Sequence, residues 1–316
     1  YEIRLSLVGS EMCIRDRASG LHENKTIDTY LVQGFKTEEN YYSCSWNDYY
    51  KGLRNGDGIY TFIEEPPVEH KRFIVENWVD IERFVDQNFL SFLYNIQKNI
   101  KEEDKAGEIP LLIGYRIPNN EIHWQCALIN FHRFPNYTVK RPGTKNEGHF
   151  YNEEINWTYT QNCSYKYFFG KGILNEHLTE KKILIIGIGA IGSIIATTLT
   201  RGGCKQIALI DYDIKGAENI CRSEYTFDTG VNGKVNDLAR KLTQISPFIK
   251  VTPFETFTDG IKFFINSGEF NNNMKSDLEA FDIIFDCSAD NDLAFILNSF
   301  DLKSEVINLS ITNYAR

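Results

Sequence analysis

Ile183-Leu-Ile-Ile-Gly-Ile-Gly-Ala-Ile-Gly192 is an apolar run that feeds directly into Gly-x-Gly-x-x-Gly. The run reads as a buried strand, because it is short, apolar and rich in β-branched residues. Gly187, Gly189 and Gly192, with Ala190 between them, make a tight turn that lets backbone come close to phosphate. The segment from Ser193 to Thr200 reads as a helix whose N-terminus favours negative charge. Taken alone, the stretch specifies a nucleotide, most simply a dinucleotide.

Outward from this turn, strands and helices alternate as they do in a parallel α/β sheet. Lys182–Ile186 is the first strand and Ile191–Thr200 the first helix. Gln206–Ile210 is the second strand and ends at Asp211. A polar loop covers Asp213 to Asn232. Lys234–Gln244 is helical, with Val235, Leu238 and Leu242 at helix spacing. Ile249–Pro253 reads as the third strand, Phe281–Asp286 as the fourth, Leu293–Phe300 as a helix and Val306–Ile311 as a fifth strand. The tract Asn271-Asn272-Asn273 reads as a turn or surface loop.

The text before Lys171–Glu180 is different: aromatic, Asn-rich and irregular. Arg72–Trp78 alternates like a strand. Asp80 is placed to cap a helix through about Ile100, with Ile81, Phe84, Val85, Phe89, Phe92, Leu93 and Ile96 on one stripe. Ile109–Arg116 and Glu121–Phe131 read as a hairpin around Pro118-Asn119-Asn120. The expected fold class is therefore α/β: a mostly parallel sheet with helices on both faces (residues 176–316), preceded by a smaller accessory α+β domain (residues 18–175). Residues 6–17 resemble translated sequencing-adapter read-through, so 1–17 are set aside. With no opening methionine and an end just after a strand-like run, the chain reads as an internal piece of a longer protein, truncated at its C-terminal side.

Composition narrows the partners. The 316 residues carry a net charge of −9, with 42% hydrophobic and 14% aromatic residues. An acidic chain without a Lys/Arg cluster repels a phosphate backbone, which disfavours nucleic acid. No apolar stretch approaches the roughly 18–20 residues of a membrane span, and no secretory signal opens the chain. The seven cysteines form no Cys-x-x-Cys pair, and their scatter suits free thiols in a reducing cytoplasm.

Residues downstream of the glycine turn specify more chemistry than the turn itself. Asp211 stands at the end of the second strand, where an acid can hold ribose hydroxyls. Asn219 and Arg222 come next in the loop, Lys234 opens the next helix, and Asp286-Cys-Ser-Ala-Asp290 ends the fourth strand. In an open parallel sheet these strand ends share one edge. Two cations suit a triphosphate tail, and a second carboxylate suits a magnesium ion carried on phosphate oxygens. The set fits attack on an α-phosphate with pyrophosphate leaving.

Residues 183–292 thus resemble the adenylation domain of the ThiF/MoeB/HesA family, which includes ubiquitin-activating enzymes. The matching pieces are Gly-Ile-Gly-Ala-Ile-Gly, Ile-Asp-Tyr-Asp, Glu-Asn-Ile-Cys-Arg, Gly-Val-Asn-Gly-Lys, Ile-Ser-Pro-Phe-Ile-Lys-Val and Phe-Asp-Cys-Ser-Ala-Asp-Asn. The resemblance implies a Rossmann-like fold and ATP with Mg2+. It implies that Asp211 holds the ATP ribose beside Gly187, Gly189, Ala190 and Gly192, that Asn219 and Arg222 contact phosphates, and that Lys234 stabilises charge at the α-phosphate. Asp290 would hold magnesium or align the attacking group. The implied partner is a ubiquitin-like or sulfur-carrier protein ending in glycine, and the implied assembly a homodimer or paired domain. Two departures stand out: Ser223 replaces a family glutamine, and Ala289 is an extra residue in the aspartate motif. Pro110-Leu-Leu-Ile-Gly-Tyr and Glu121-Ile-His-Trp-Gln-Cys resemble the segment that precedes this domain in bacterial conjugating/activating fusions.

The alternative is an NAD(P)-dependent oxidoreductase, for which the glycine turn and Asp211 suffice. Asp286 reads as a strand-end residue satisfying backbone donors. Cys126, three residues after His123, reads as a small buried residue, since positions three apart on a strand face opposite ways. Cys204 and Cys287 read as packing residues and Cys221 as a loop thiol near the site.

Overall fold

The computed structural model describes residues 12–15, 29–36, 40–52, 57–101, 107–118, 121–140, 142, 146–227, 230, 232–254 and 272–311. Two compact units divide the chain: Tyr1–Cys44 with Arg54–Phe168, and Ser45–Leu53 with Phe169–Arg316.

The first unit begins with strands β1 (Met12–Arg15), β2 (Thr29–Leu31), β3 (Gly34–Lys36) and β4 (Tyr41–Ser43). Helix α1 (Asp48–Lys51) belongs to the second unit. The first unit then resumes with β5 (Ile59–Ile63), β6 (Val68–Glu69), β7 (Arg72–Phe73), α2 (Trp78–Ile81) and α3 (Gln87–Asn99). It closes with β8 (Glu108–Ile117), β9 (Glu121–Asn130), β10 (Asn136–Val139), β11 (Glu147–Phe150) and β12 (Trp157–Asn162). Its main sheet has the order β2-β1-β12-β9-β8-β5. Met12–Arg15, inside the stretch that resembles adapter read-through, pairs antiparallel with both β12 and β2.

β8 and β9 form the expected antiparallel pair, from Glu108↔Asn130 to Ile117↔Glu121; Asn119 and Asn120 of its turn lie outside the described residues. Two expectations fail here. Arg72–Trp78 is not one strand: only Arg72–Phe73 pairs, and Trp78 opens a helix. Nor does Asp80 cap a long helix. Its carboxylate reaches back to the Asn77 and Glu76 amides and closes the short α2. Asp86 caps α3 instead, accepting from the Phe89 amide at 2.7 Å. Two acids precede one apolar stripe, and the chain turns between them. The stripe itself faces the core: Ile81, Phe89 and Leu93 are buried and Phe84, Val85, Phe92 and Ile96 pack against them.

After α4 (Tyr165–Phe169), at whose last residue the second unit resumes, that unit runs through a 3-10 turn (Gly170–Gly172), α5 (Glu176–Thr179), β13 (Lys182–Ile186), α6 (Ala190–Arg201), β14 (Gln206–Ile210) and α7 (Ala217–Ile220). It continues with α8 (Lys234–Ile245), β15 (Lys250–Phe254), α9 (Asn272–Leu278), β16 (Ile283–Asp286), α10 (Asn291–Ser299) and β17 (Glu305–Asn308). The five strands are all parallel, in the order β15-β14-β13-β16-β17. The chain steps outward from β13 to β15, then crosses back to β16; this reversal is where open α/β sheets hold their ligands.

Burial explains why β13 and β14, at the middle of the sheet, read as nearly unbroken apolar runs. Ile183, Ile185, Ile207 and Leu209 pack on one face with Ala196 and Leu199 of α6 and with Val235, Leu238 and Leu242 of α8. Leu184, Ile186, Ala208 and Ile210 pack on the other with Met274 and Leu278 of α9 and Leu293, Ile296 and Leu297 of α10. A sheet covered on both faces needs apolar residues at every position. Two expectations change: Asn272 and Asn273 open α9 rather than forming a loop, and the polar stretch after Asp213 contains the one-turn helix α7.

Candidate functional site

The registers Ile186↔Ile210 and Ile186↔Asp286 bring the ends of β13, β14 and β16 side by side. Gly187, Asp211 and Cys287 each come directly after one of these ends, so the glycine turn, the Asp211 loop and the aspartate motif emerge at one edge of the sheet.

The glycines of the turn do different things. Gly187 has φ +78°, and a Cβ there would lie 2.6 Å from the Ser288 backbone. At Gly192 a Cβ would lie 2.0 Å from the Gly187 carbonyl oxygen. These two let the helix, the turn and the aspartate motif pack together. A Cβ on Gly189 would meet nothing within 4 Å. Gly189 is also the N-cap of α6, which has no side-chain cap. Among the described residues no side chain accepts from the first amides of that helix, at the position where backbone is open to approach, as an anionic group requires. The helix begins at Ala190, one residue before the expected Ile191.

Asp211 ties the turn to the next loop: one carboxylate oxygen accepts from the Ile188 amide at 2.9 Å and the other from the Asp213 amide at 2.8 Å. Asp213 in turn holds Lys234, whose Nζ donates to its carboxylate at 2.7 Å while the Lys234 amide donates to its carbonyl. The Lys234 side chain is 8% exposed and that of Asp213 52%. A buried ammonium in the first turn of a helix opposes the helix dipole, and a lysine there without a negative partner would be costly. Asp213 meets that need within the protein and remains open to a ligand.

The loop between Asp213 and Lys234 is fastened at several points. Asn219 is buried and its Oδ1 accepts from the Gly216 amide, closing α7. Its carbonyl accepts from Ser223 Oγ and the Arg222 amide. Arg222 itself is exposed. Two residues on, the Glu224 amide donates to Ser193 Oγ in α6, and Tyr225 donates its hydroxyl to the Ile188 carbonyl at 2.6 Å. Burial, with Asp211, Asp237 and Asp213 nearby, raises the Tyr225 phenol far above its ordinary range, so it stays a donor.

On the other side of the turn, Asp286 is 1% exposed. It accepts from Ser288 N, Ser288 Oγ and Asn308 Nδ2, which accounts for it as a strand-end acceptor. Ala289 has φ +58°; the extra residue turns the chain from β16 into α10. Asp290 is exposed and caps that helix, its Oδ1 accepting from the Asp292 and Leu293 amides. Its Oδ2 has no partner among the described residues. One free carboxylate oxygen at an exposed position is what a magnesium ion carried on phosphates would use.

Sequence reasoning gave no role to Asp213, Tyr225, Lys215 or Asp237. Asp213 was legible as the second acid of Asp-x-Asp; the other three have no local signature. Three of the thiols are held protonated: burial pushes Cys126 and Cys204 up to about 11, and burial with the neighbouring Asp286 does the same to Cys287. Cys221 is exposed, its Sγ against the Glu218 carbonyl. No group of three or more metal-ligating side chains occurs among the described residues. No described helix is long and apolar enough to cross a membrane.

The chain is 26% identical over 282 residues to the ATP-dependent ubiquitin transferase-like protein Cap2 of Enterobacter hormaechei subsp. hoffmannii (strain UCI 50), across 83% of this chain and 45% of that protein. It is 33% identical over 116 residues to ubiquitin-like modifier-activating enzyme 5 of Drosophila persimilis, across 35% of this chain and 29% of that one. The crystal structure of E. coli tRNA N6-threonylcarbamoyladenosine dehydratase, TcdA, is similar at a TM-score of 0.34 and 23% identity, over 42% of this chain and 52% of that chain. The chain thus spans less than half the length of either curated relative. Residues 159–311 match the ThiF family, and a ThiF family domain, built on the parallel sheet of the second unit, is present in this chain.

Proposed function

We propose that residues 176–316 form an adenylation domain that binds ATP at the carboxyl edge of the sheet. It activates the C-terminal glycine of a ubiquitin-like or sulfur-carrier protein, with residues 18–175 as an accessory domain. In the reaction a carboxylate oxygen of that glycine attacks the α-phosphorus. The bond to the bridging oxygen breaks, and pyrophosphate leaves with the electron pair. The observation that carries this reading is the continuous hydrogen-bonded path from the glycine turn through Asp211 and Asp213 to Lys234. A ribose-binding acid alone would serve a dinucleotide; a buried lysine on the same path suits a phosphate chain.

In this reading the α6 amides and Gly189 receive phosphate, and Asp211 holds the ribose. Arg222 and Lys234 carry the charge that develops on the phosphoryl oxygens, with Asn219 keeping the Arg222 loop closed. Asp290 would hold Mg2+, which when bound neutralises phosphate charge. The names of the two curated relatives, one ATP-dependent and ubiquitin transferase-like, the other an activating enzyme for ubiquitin-like modifiers, support the substrate class. A second copy or a paired domain would complete the assembly, and the dispersed free thiols suit a cytoplasmic setting.

The test is displacement of a fluorescent ATP analogue, then ATP–pyrophosphate exchange with a glycine-ended ubiquitin-like protein. ATP should displace the probe and NAD should not. Exchange should fall by at least about 100-fold in Arg222→Ala and in Lys234→Ala. Displacement by NAD alone, or normal exchange in both variants, would overturn the assignment.

A further inference from the structure

Lys215 is a cation that the proposed reaction does not use, yet it is 2% exposed. Its Nζ donates to the Thr226 carbonyl at 2.8 Å and to Asp237 Oδ2 at 3.0 Å. Both side chains of the pair are buried, at 2% and 5% exposure. Asp237 lies one turn along α8 from Lys234, and its other oxygen faces Arg240 at 3.4 Å. Thr226 adjoins Tyr225, whose hydroxyl holds the Ile188 carbonyl of the glycine turn. The Lys215 amide donates to the Asn232 carbonyl, and Ile214 bridges to Gly233, the residue before Lys234.

One ammonium therefore ties together the outgoing limb of the loop, its returning limb and the helix that presents Lys234. As a source of stability alone this is a poor device. Removing two charges from water offsets most of their attraction, and apolar residues of similar volume commonly do as well or better. What an ion pair of fixed geometry adds is register between the elements it joins.

We propose that Lys215 is a positioning residue: through Asp237 and Thr226 it sets the place of Lys234 relative to the glycine turn, and it thereby determines affinity for the ATP phosphates. This rests on the proposed ATP site. The chemistry it invokes is geometric, since a displacement of about 1 Å at a phosphate-binding group can cost up to about 100-fold.

The experiment is a double-mutant cycle on the full chain, with MgATP as the probe, affinity by calorimetry and stability by thermal melting. Wild type and Lys234→Ala are compared first: MgATP binding that weakens in Lys234→Ala establishes the ATP reading independently of Lys215. Lys215→Met should then weaken MgATP binding about tenfold, or ~1.4 kcal/mol, when Lys234 is present. In the Lys234→Ala background it should change affinity less than about twofold. The pair Lys215→Met/Asp237→Leu should recover the melting temperature without recovering affinity. Should Lys215→Met not fold, Lys215→Arg keeps the charge with different reach and should show the same loss.

Equal losses in both backgrounds, or affinity restored together with stability by the apolar pair, would overturn the positioning role. Wild type that binds no MgATP, or binding untouched by Lys234→Ala, would overturn the ATP reading and this inference with it.

Discussion

Gly189 and Gly192 belong to one motif, yet the structure separates their reasons. A Cβ at Gly192 runs into the Gly187 carbonyl at 2.0 Å, whereas one at Gly189 meets nothing within 4 Å. Gly192→Ala should therefore cost at least about 2 kcal/mol of folding stability, because the obstacle is backbone and cannot swing aside. Gly189→Ala should melt close to wild type and lose nucleotide affinity. Denaturation and ATP titration of both variants check this; equal destabilisation by both would contradict it. The glycine pattern was legible in sequence because each glycine answers to a local backbone need. So were Asp211, Asn219, Arg222 and Lys234 as candidates, since each lies within a turn of a strand or helix end. Tyr225 and the Lys215–Asp237 pair were not, because their roles exist only once the loop has closed on itself.

Elements with the plainest apolar patterns were the easiest to read. β13, β14 and α6 lie within one or two residues of their expected bounds, for continuous apolar runs and helix spacing leave little choice. The stretch 72–86 was misread because Asp80 and Asp86 both offer helix caps, and only tertiary packing selects between them. Helix α8 shows what sequence could not supply at its far end. Asn47 Nδ2 donates to the carbonyls of Thr243 and Ser246, Tyr50 Oη donates to Gln244 O, and the Asn47 amide donates to Pro247 O. Free carbonyls at a helix C-terminus need donors, and here they come from a distant segment. Asn47→Ala should destabilise the second unit by about 1–3 kcal/mol, read by urea denaturation; an unchanged midpoint would show that solvent satisfies these carbonyls equally well.

At the level of the molecule, the second unit is not continuous in sequence. Residues 45–53 belong to it, although they precede residue 169 by more than a hundred positions, and the expected boundary near 171–180 could not reveal them. Ser45-Trp46-Asn47 carries no motif; Trp46 is simply 2% exposed, with its ring 5.5 Å from that of Phe248. A chain starting at residue 169 should consequently melt at least about 5 °C below one that keeps this segment, and a peptide of residues 45–53 added in trans should raise it again. Thermal melting with and without the peptide decides the point. The same arrangement governs timing during synthesis. Asn47 and Thr243 are separated by 196 positions. At roughly 5–20 residues per second the strap leaves the ribosome about 10–40 s before its acceptor helix exists. The first unit can fold in that interval, with the strap held as an open loop between two of its strands. The second unit then matures after the first, once α8 arrives to take up a segment translated long before it.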